Sequence, residues 1–103
     1  MTKKILHLTI KKKWFDKIAK GTKKKEYREE KPYWDKRLLD GEGFYKQFDE
    51  VHFRNGYGKD FPFMRVKCKS IELDYRDEPE GRKWYHIISL GKVLEVKKNA
   101  ETK

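Results

Sequence analysis

The sequence predicts a small α+β domain, built as a β-barrel of five to six strands with two or three short helices. Segments in which apolar residues alternate recur along the chain, as is typical of half-buried strands. Two early stretches instead repeat their apolar residues with helical spacing. The chain has only 103 residues, and closing so many short strands into a barrel hides the edges of the sheet economically.

The start of the chain predicts a strand, a helix and a turn. Residues 4–10 alternate between apolar and other side chains, which indicates a strand. Residues 12–20 change to helical spacing, so Trp14 and Phe15 are expected to pack in the core. Gly21 follows as the residue that ends this helix, because glycine readily adopts the left-handed conformation required there.

The rest of the chain predicts mainly strands. Residues 23–30 indicate a second strand or an extended loop, and Pro32 opens a second short helix over residues 32–39. The remaining predicted strands span residues 49–54, 63–74, 84–90 and 93–96. Turn-forming residues separate them at 55–58 and at 76–82. A slip in alternation at Ser70 and Ile71 predicts a bulge or bend in the longest strand.

Length and composition fit a single folded domain. Charged residues make up 43% of the chain, but aromatic residues make up 15%, which is enough to build one core. We assign residues 1–97 to one domain and residues 98–103 to a flexible C-terminal tail. The single cysteine excludes an intramolecular disulfide. No signal peptide and no apolar run of membrane-spanning length occurs, so we expect a cytoplasmic protein that does not bind membranes.

Positive charge is concentrated in the first quarter of the chain. The net charge is +10, and residues 1–25 hold ten lysines against one acidic residue, Asp16. Such a patch attracts polyanions at long range, and nucleic acid is the commonest polyanion. An anionic membrane is the second candidate, although no segment has the wide apolar face of a basic amphipathic anchor. The alternative is that these lysines only keep the surface soluble.

The segment around the end of the first helix resembles a known family. The motif is Gly21-x-Lys23-x-x-Glu26-x-Arg28, within the run LHLTIKKKWFDKIAKGTKKKEYREEKPYWDKRL at residues 6–38. This run resembles the ASCH domain family, which shares a barrel fold with the PUA RNA-binding domains. The later segments that also resemble the family are FDEVHFRNGYG at 48–58 and WYHIISLGKVL at 84–94.

The resemblance implies a PUA-like barrel with a ligand cleft beside it, lined by the motif residues, and RNA or a nucleotide-like ligand as partner. Some family members are amidohydrolases that remove an acyl group from a modified cytidine with Lys, Thr and Glu, and others are reported to be ribonucleases. Aligned through Gly21, Lys23 matches the amidohydrolase lysine, whereas Glu26 stands at the position of the threonine. A carboxylate cannot replace a hydroxyl as acyl acceptor without a different mechanism, so a binding module is favoured.

Two alternatives remain beside the binding module. In an enzyme acting on a modified nucleoside or on RNA, Lys23 and Glu26 are the catalytic residues. The other alternative is a protein-interaction module. No paired histidine or cysteine spacing and no cofactor fingerprint occurs, so we expect neither a metal nor a cofactor.

The motif residues have chemistry suited to an anionic ligand. The turn after Gly21 is expected to expose backbone amides to an anion. Lys23 supplies a compact charge, and Arg28 supplies a planar fork for a phosphate or a base. On a strand, Glu26 and Arg28 share a face. They form either a purely structural ion pair or part of a ligand cleft in which Glu26 accepts hydrogen bonds from a base.

Other residues are predicted to complete the ligand site. They are Lys11, Lys12, Tyr33, Trp34, Arg54 and Tyr57. The two lysines follow the first strand, and exposed aromatic rings offer stacking surfaces for bases. Tyr33 and Trp34 are equally consistent with packing in the core, and a segment such as that from Arg54 to Tyr57 is more often a simple hairpin turn.

Overall fold

The computed structural model describes residues 2–56 and 61–97, so Tyr57 and the tail predicted at 98–103 lie outside the described residues. The elements are β1 (Ile5–Thr9), α1 (Lys12–Lys20), β2 (Lys25–Glu29), α2 (Pro32–Leu38), β3 (Glu50–Arg54), β4 (Phe63–Glu78) and β5 (Gly81–Lys97). The α+β class, five strands and two short helices are therefore as predicted. Neither helix in this part of the chain is long and apolar enough to cross a membrane.

The strands form one mixed sheet with the order β1-β3-β4-β5-β2. β1 and β3 are parallel, and the other neighbouring pairs are antiparallel. β1 and β2 are the two edges, and no backbone pairing joins them within the described ranges. The closed barrel that the sequence predicts is therefore not confirmed, and the observed architecture is a five-stranded sheet with two helices.

β4 and β5 form a longer hairpin than the sequence predicts. The loop predicted over residues 76–82 is wrong, because β4 continues to Glu78 and β5 begins at Gly81. Cross-strand contacts support the extension: the rings of Tyr75 and Trp84 lie 5.2 Å apart. The strands predicted at 84–90 and 93–96 are parts of the continuous β5. The predicted irregularity is present, but its register shifts fall between Arg65 and Ser70, slightly before the predicted position.

The core lies between one face of the sheet and the two helices. Its buried residues are Leu6, Leu8, Ile10, Phe15, Ile18, Leu38, Val51, Phe53, Met64, Val66, Ile88 and Leu90. α1 has the predicted bounds and contributes Phe15 and Ile18. Trp14 was expected beside them, but its side chain is 38% exposed. A nine-residue helix presents only a narrow stripe to the sheet, and that stripe centres on Phe15 and Ile18 rather than on Trp14.

The opposite face of the sheet carries a network around a buried carboxylate. Glu50 is 3% exposed, and the Nε and Nη2 atoms of Arg65 each donate to one of its oxygens at 3.0 Å. His52 Nε2 lies 2.9 Å and Lys3 Nζ 2.8 Å from the same carboxylate. Arg65 also reaches Glu95 on β5, at 3.2 Å. These bonds hold the pKa of Glu50 well below its ordinary value, and the bonds from Arg65 contribute most.

This network predicts a pH-dependent contribution to stability. Because the pKa of Glu50 is depressed on folding, its contribution is present above the ordinary value of 4.5 and is lost as the pH falls below it. We expect Glu50→Gln to lower the free energy of unfolding at neutral pH by roughly 2–3 kcal/mol, as for lost hydrogen bonds to charged groups. Urea unfolding at neutral pH and at about pH 3 measures both effects, and the variant should show the smaller acid dependence.

Glu95→Gln is the matched control for Glu50→Gln. It removes the same charge and also faces Arg65, but its side chain is 36% exposed. An exposed pair contributes about 1 kcal/mol or less. Equal destabilisation by the two variants would show that burial gives Glu50 no special role.

Candidate functional site

Two arginines bind the β1 edge at the gap between the edge strands β1 and β2, which we call the seam. Arg28 of β2 donates from Nη2 to the carbonyl oxygen of Thr9 on β1, at 3.3 Å. Arg37 of α2 donates from Nη2 to the carbonyl oxygen of His7, also on β1, at 3.0 Å. Guanidinium groups therefore bind two carbonyls of the β1 edge, and two permanent positive charges are fixed at the seam.

A buried carboxylate lies beside these charges. Glu26 is 7% exposed, and Arg28 on the same strand face contacts its Oε2 from Nη2 at 2.7 Å and from Nε at 2.9 Å. The Nζ atom of Lys23 lies 3.5 Å from Oε1 of the same residue. The side chains of Lys23 and Arg28 are themselves only 18% and 17% exposed. The three residues form a partly shielded cluster with one net positive charge.

The backbone of the turn after α1 does not serve an anion, contrary to the sequence-based expectation. Gly21 ends the helix with a φ of 84°, as predicted. Its amide donates to the carbonyl oxygen of Ile18, and the amides of Thr22 and Lys23 both donate to that of Lys17. These amides cap the last carbonyls of α1 and are already occupied. The side chain of Lys23, rather than the turn's backbone, is therefore what this turn offers a ligand.

Aromatic rings of α2 lie against the arginines of the seam. The guanidinium carbon of Arg28 is 4.9 Å from the ring centroid of Trp34, and that of Arg37 is 5.3 Å from it. Trp34 also packs against the core, so it both packs and forms a wall of the seam. Tyr33 is 61% exposed and accepts a hydrogen bond from Arg37 at 3.1 Å. Both predicted aromatic residues therefore lie at the seam.

A cavity of about 370 Å³ opens beside the buried carboxylate. It is lined by Trp14, Lys23, Glu26, Tyr27 and Arg76. The ammonium group of Lys23 lies 5.3 Å from the ring centroid of Trp14 and 5.6 Å from that of Tyr27. Arg76 lies 5.3 Å from the ring centroid of Tyr27. The cavity thus combines two aromatic walls, two cations and one carboxylate, a set of groups suited to a planar, anionic ligand.

Three residues of this region were missed or misassigned from the sequence. Trp14 was expected in the core. The lysines near it in the sequence were a signal that it lies at the surface: in the structure the ammonium groups of Lys13 and Lys17 lie 4.8 and 5.5 Å from its ring centroid. Arg37 lies within the second predicted helix and carried no signal of its own. Arg76 was placed in a loop, and only the extended pairing of β4 with β5 brings it to the cavity.

Other residues predicted for the site lie outside the cluster. Lys11 precedes α1 as its N-terminal cap residue and is exposed. Lys12 forms an exposed ion pair with Asp16 at 2.8 Å. The guanidinium of Arg54 lies 4.7 Å from the ring centroid of Phe63, and Arg54 is the β3 register partner of Thr9, whose carbonyl oxygen Arg28 binds. The predicted residues that the structure gathers at the seam are Lys23, Glu26, Arg28, Tyr33 and Trp34, with Gly21 in the turn that leads to them.

Metal ligands are not gathered in the described part of the chain. No group of three or more His, Cys, Asp or Glu side chains within residues 2–56 and 61–97 is arranged to hold a metal ion. Comparison of the sequence and the fold with protein-family models, curated proteins and solved structures gave no match in any of the three. The functional proposal therefore rests on the geometry of the seam and on the motif that leads into it.

The cluster predicts that Glu26 is required for stability as well as for any ligand contact. Glu26→Ala leaves Lys23 and Arg28 partly buried without their shared counter-ion, so we expect the free energy of unfolding to fall by roughly 3 kcal/mol. Lys12→Ala, which breaks an exposed ion pair on the same surface, should cost about 0.5 kcal/mol or less. Chemical denaturation compares the two, and equal stabilities would contradict a shared role for the carboxylate.

Proposed function

We propose that the chain is an ASCH-type domain that binds RNA or a nucleotide-like ligand at the seam and in the cavity beside it. The observation that carries this proposal is the buried Glu26 carboxylate, held between Lys23 and Arg28 next to a cavity with aromatic walls. A structural ion pair alone accounts for Glu26 and Arg28. It does not account for two further cations and two exposed rings around the same space.

Each part of a nucleotide has a chemically matched group in this cavity. The rings of Trp14 and Tyr27 line the cavity, and a base that takes the place of the Lys23 ammonium group over either ring can stack on it. Lys23 and Arg76 carry the charge that a phosphate requires. Glu26 supplies carboxylate oxygens that accept hydrogen bonds from an exocyclic amine of a base. The cavity therefore places groups for stacking, for charge pairing and for hydrogen bonding close to one another.

The size of the cavity favours a single nucleotide or an unpaired base over a duplex. Its volume of about 370 Å³ is near the lower end of ligand cavities, at roughly 300 Å³. A duplex presents its phosphates along an extended surface, whereas an unstacked base inserts into a small pocket. The exposed lysines of the first quarter, among them Lys13 and Lys17 beside Trp14, extend the positive field around this opening.

The same proposal covers the finer fold assignment. We propose that the sheet is a PUA-like barrel whose β1 and β2 edges are joined by side chains, with the ligand cleft at that junction. The bond from Arg28 of β2 to Thr9 of β1 supports it, and Arg37 of α2 binds the same edge at His7. Both oxygens of Glu26 already face cations, which favours recognition over nucleophilic attack, so we rank the catalytic alternative below binding.

Binding is tested with a labelled single-stranded RNA of mixed sequence and with the common nucleoside monophosphates. We expect RNA binding at low salt, with a logarithmic affinity that falls by roughly 0.7 per phosphate contact for each decade of salt. Trp14→Ala should weaken binding by about ten- to a hundredfold, the usual value of one stacked base. Arg76→Ala should weaken binding and should reduce the slope of logarithmic affinity against logarithmic salt concentration by the equivalent of about one phosphate contact.

Two control variants separate the site from general effects. Phe61 is 45% exposed, close to the 38% of Trp14, but it precedes β4 and does not line the cavity, so Phe61→Ala should retain affinity. Lys92→Ala removes one exposed positive charge without touching the cavity. Absence of binding of every probe by the wild-type protein at low salt would sink the proposal. Hydrolysis of an acylated cytidine or of the RNA, abolished by Lys23→Ala, would replace it with the catalytic alternative.

A further inference from the structure

A buried histidine on β5 joins two other segments of the chain. His86 is 1% exposed, and both of its ring nitrogens are engaged. Its Nδ1 lies 2.7 Å from the hydroxyl of Tyr45, and its Nε2 lies 2.7 Å from Oδ1 of Asp35. We call these three residues the histidine bridge. A donor pattern that satisfies both contacts has the Tyr45 hydroxyl donating to Nδ1 and Nε2–H donating to Asp35.

The bridge connects the sheet to the helix that forms one wall of the seam. Asp35 belongs to α2, and its neighbour Trp34 is the residue that lies against Arg28. Tyr45 follows α2 and pairs with Leu39 in an isolated β-bridge. α2 is therefore attached to β5 directly through Asp35 and indirectly through Tyr45.

α2 depends on such attachments for its position. It has only seven residues, and its cap residue Lys31 makes no side-chain capping bond. Helices this short are unstable alone, so tertiary contacts decide where they lie. Leu38 supplies an apolar contact in the core. Apolar contact is non-directional, whereas the two short bonds of His86 fix direction and distance.

The bridge and the seam also meet on one face of the sheet. Arg28 on β2 is the register partner of His86 on β5, so their side chains point to the same face. Trp34 and Asp35 are consecutive on α2: the first lies against Arg28 and the second against His86. A shift of α2 that breaks the bridge must therefore also move Trp34 relative to Arg28.

We propose that the histidine bridge is a positioning device for the candidate ligand site, which sets α2 so that Trp34 lies against Arg28. His86 is buried and is a positioning residue, not one that touches a ligand. The geometric part of this inference stands on the contacts alone. Its consequence for binding rests on the function proposed above.

Charged groups from each neighbouring element face the bridge and define its pH range. A hydrogen bond between Glu30, just after β2, and Asp35 raises the pKa of Glu30 and, with the His86 contact, lowers that of Asp35. Burial, and then the carboxylates of Asp35, Glu30 and Glu72 on β4, raise the pKa of Tyr45 to about 12. Arg28 faces His86 from β2.

These directions predict that Tyr45 and Asp35 keep the protonation states that the bridge requires at neutral pH. Tyr45 keeps its hydroxyl proton well above neutral pH. Because the pKa of Asp35 is lowered on folding, its contribution is present above the ordinary value of 3.8 and is lost as the pH falls below it. Protonation of Asp35 in acid therefore weakens its contact with His86.

The first test needs no ligand and follows the Nε–H resonance of Arg28 by NMR with isotope-labelled arginine. This proton lies near the Trp34 ring, so its chemical shift reports the stacking of the two side chains. We expect Asp35→Ala and Tyr45→Phe to move the resonance while circular dichroism shows a retained fold. Asp35→Asn keeps an oxygen acceptor for Nε2–H and should leave the resonance near its wild-type position. An acid titration of the wild type through the range in which Asp35 protonates, below its ordinary value of 3.8, should also move it.

The control is His52→Gln. His52 is also largely shielded and bonded to a carboxylate, Glu50, but lies on the opposite face of the sheet. Its replacement should lower stability without moving the Arg28 resonance. If Asp35→Ala lowers stability but leaves that resonance at its wild-type position, the bridge is only structural and the positioning proposal is overturned.

The second test measures binding of the single-stranded RNA by the same variants. Asp35→Ala and Tyr45→Phe should weaken binding by about three- to tenfold, because preorganisation is lost. The salt dependence should remain that of the wild type, because no phosphate contact is removed. A wild-type protein that binds no probe contradicts the proposed function, while a displaced Arg28 resonance in Asp35→Ala still supports positioning. Tight wild-type binding with unchanged affinity in both variants overturns the role of the bridge in binding.

Discussion

The guanidinium of Arg28 is the group on which the arrangement of the seam depends. It contacts the Glu26 carboxylate on its own strand, a β1 carbonyl across the gap, and the Trp34 ring on α2. One planar group with donors fixed in a fork makes all three contacts at once, whereas the ammonium of a lysine offers a single compact charge without a flat face. A side chain, rather than main-chain pairing, therefore fixes β2, the β1 edge and α2 relative to one another.

These contacts also account for the way the open β1 edge of the sheet is satisfied. An exposed strand edge presents unpaired backbone groups and invites association with another chain. Here Arg28 and Arg37 bind carbonyls of the β1 edge, so those groups are satisfied without a neighbouring strand. Side-chain bridges are longer than a backbone hydrogen bond and leave space between the edges. The satisfied β1 edge and the cluster of charge at the seam are thus two results of the same contacts.

Local patterns predicted most elements because the physical cause of each lies within a few residues. α1, with Gly21 at its end, and the short strand β3 were foreseen in this way. The long hairpin was not, because the contact between Tyr75 and Trp84 that supports it exists only once β4 and β5 have paired. The motif correctly indicated Glu26 beside Arg28, whereas Arg76 reaches the cavity only through that hairpin. A site assembled across strands has no compact signature in one chain segment.

Two buried carboxylates, Glu26 and Glu50, have different surroundings in this chain, of which 43% of the residues are charged. Glu50 is enclosed by Arg65, His52 and Lys3 on the face of the sheet away from the helices, and its network ties β3 to β4. Glu26 has a similar arginine fork, but aromatic rings and a cavity lie next to it. Burial of a carboxylate with arginine is therefore not itself a functional sign. The surroundings of Glu26 differ in two respects. Its charges lie beside exposed rings that line a cavity of ligand size. In addition, Trp34 on α2, a short helix held by His86, forms a wall of the seam against Arg28.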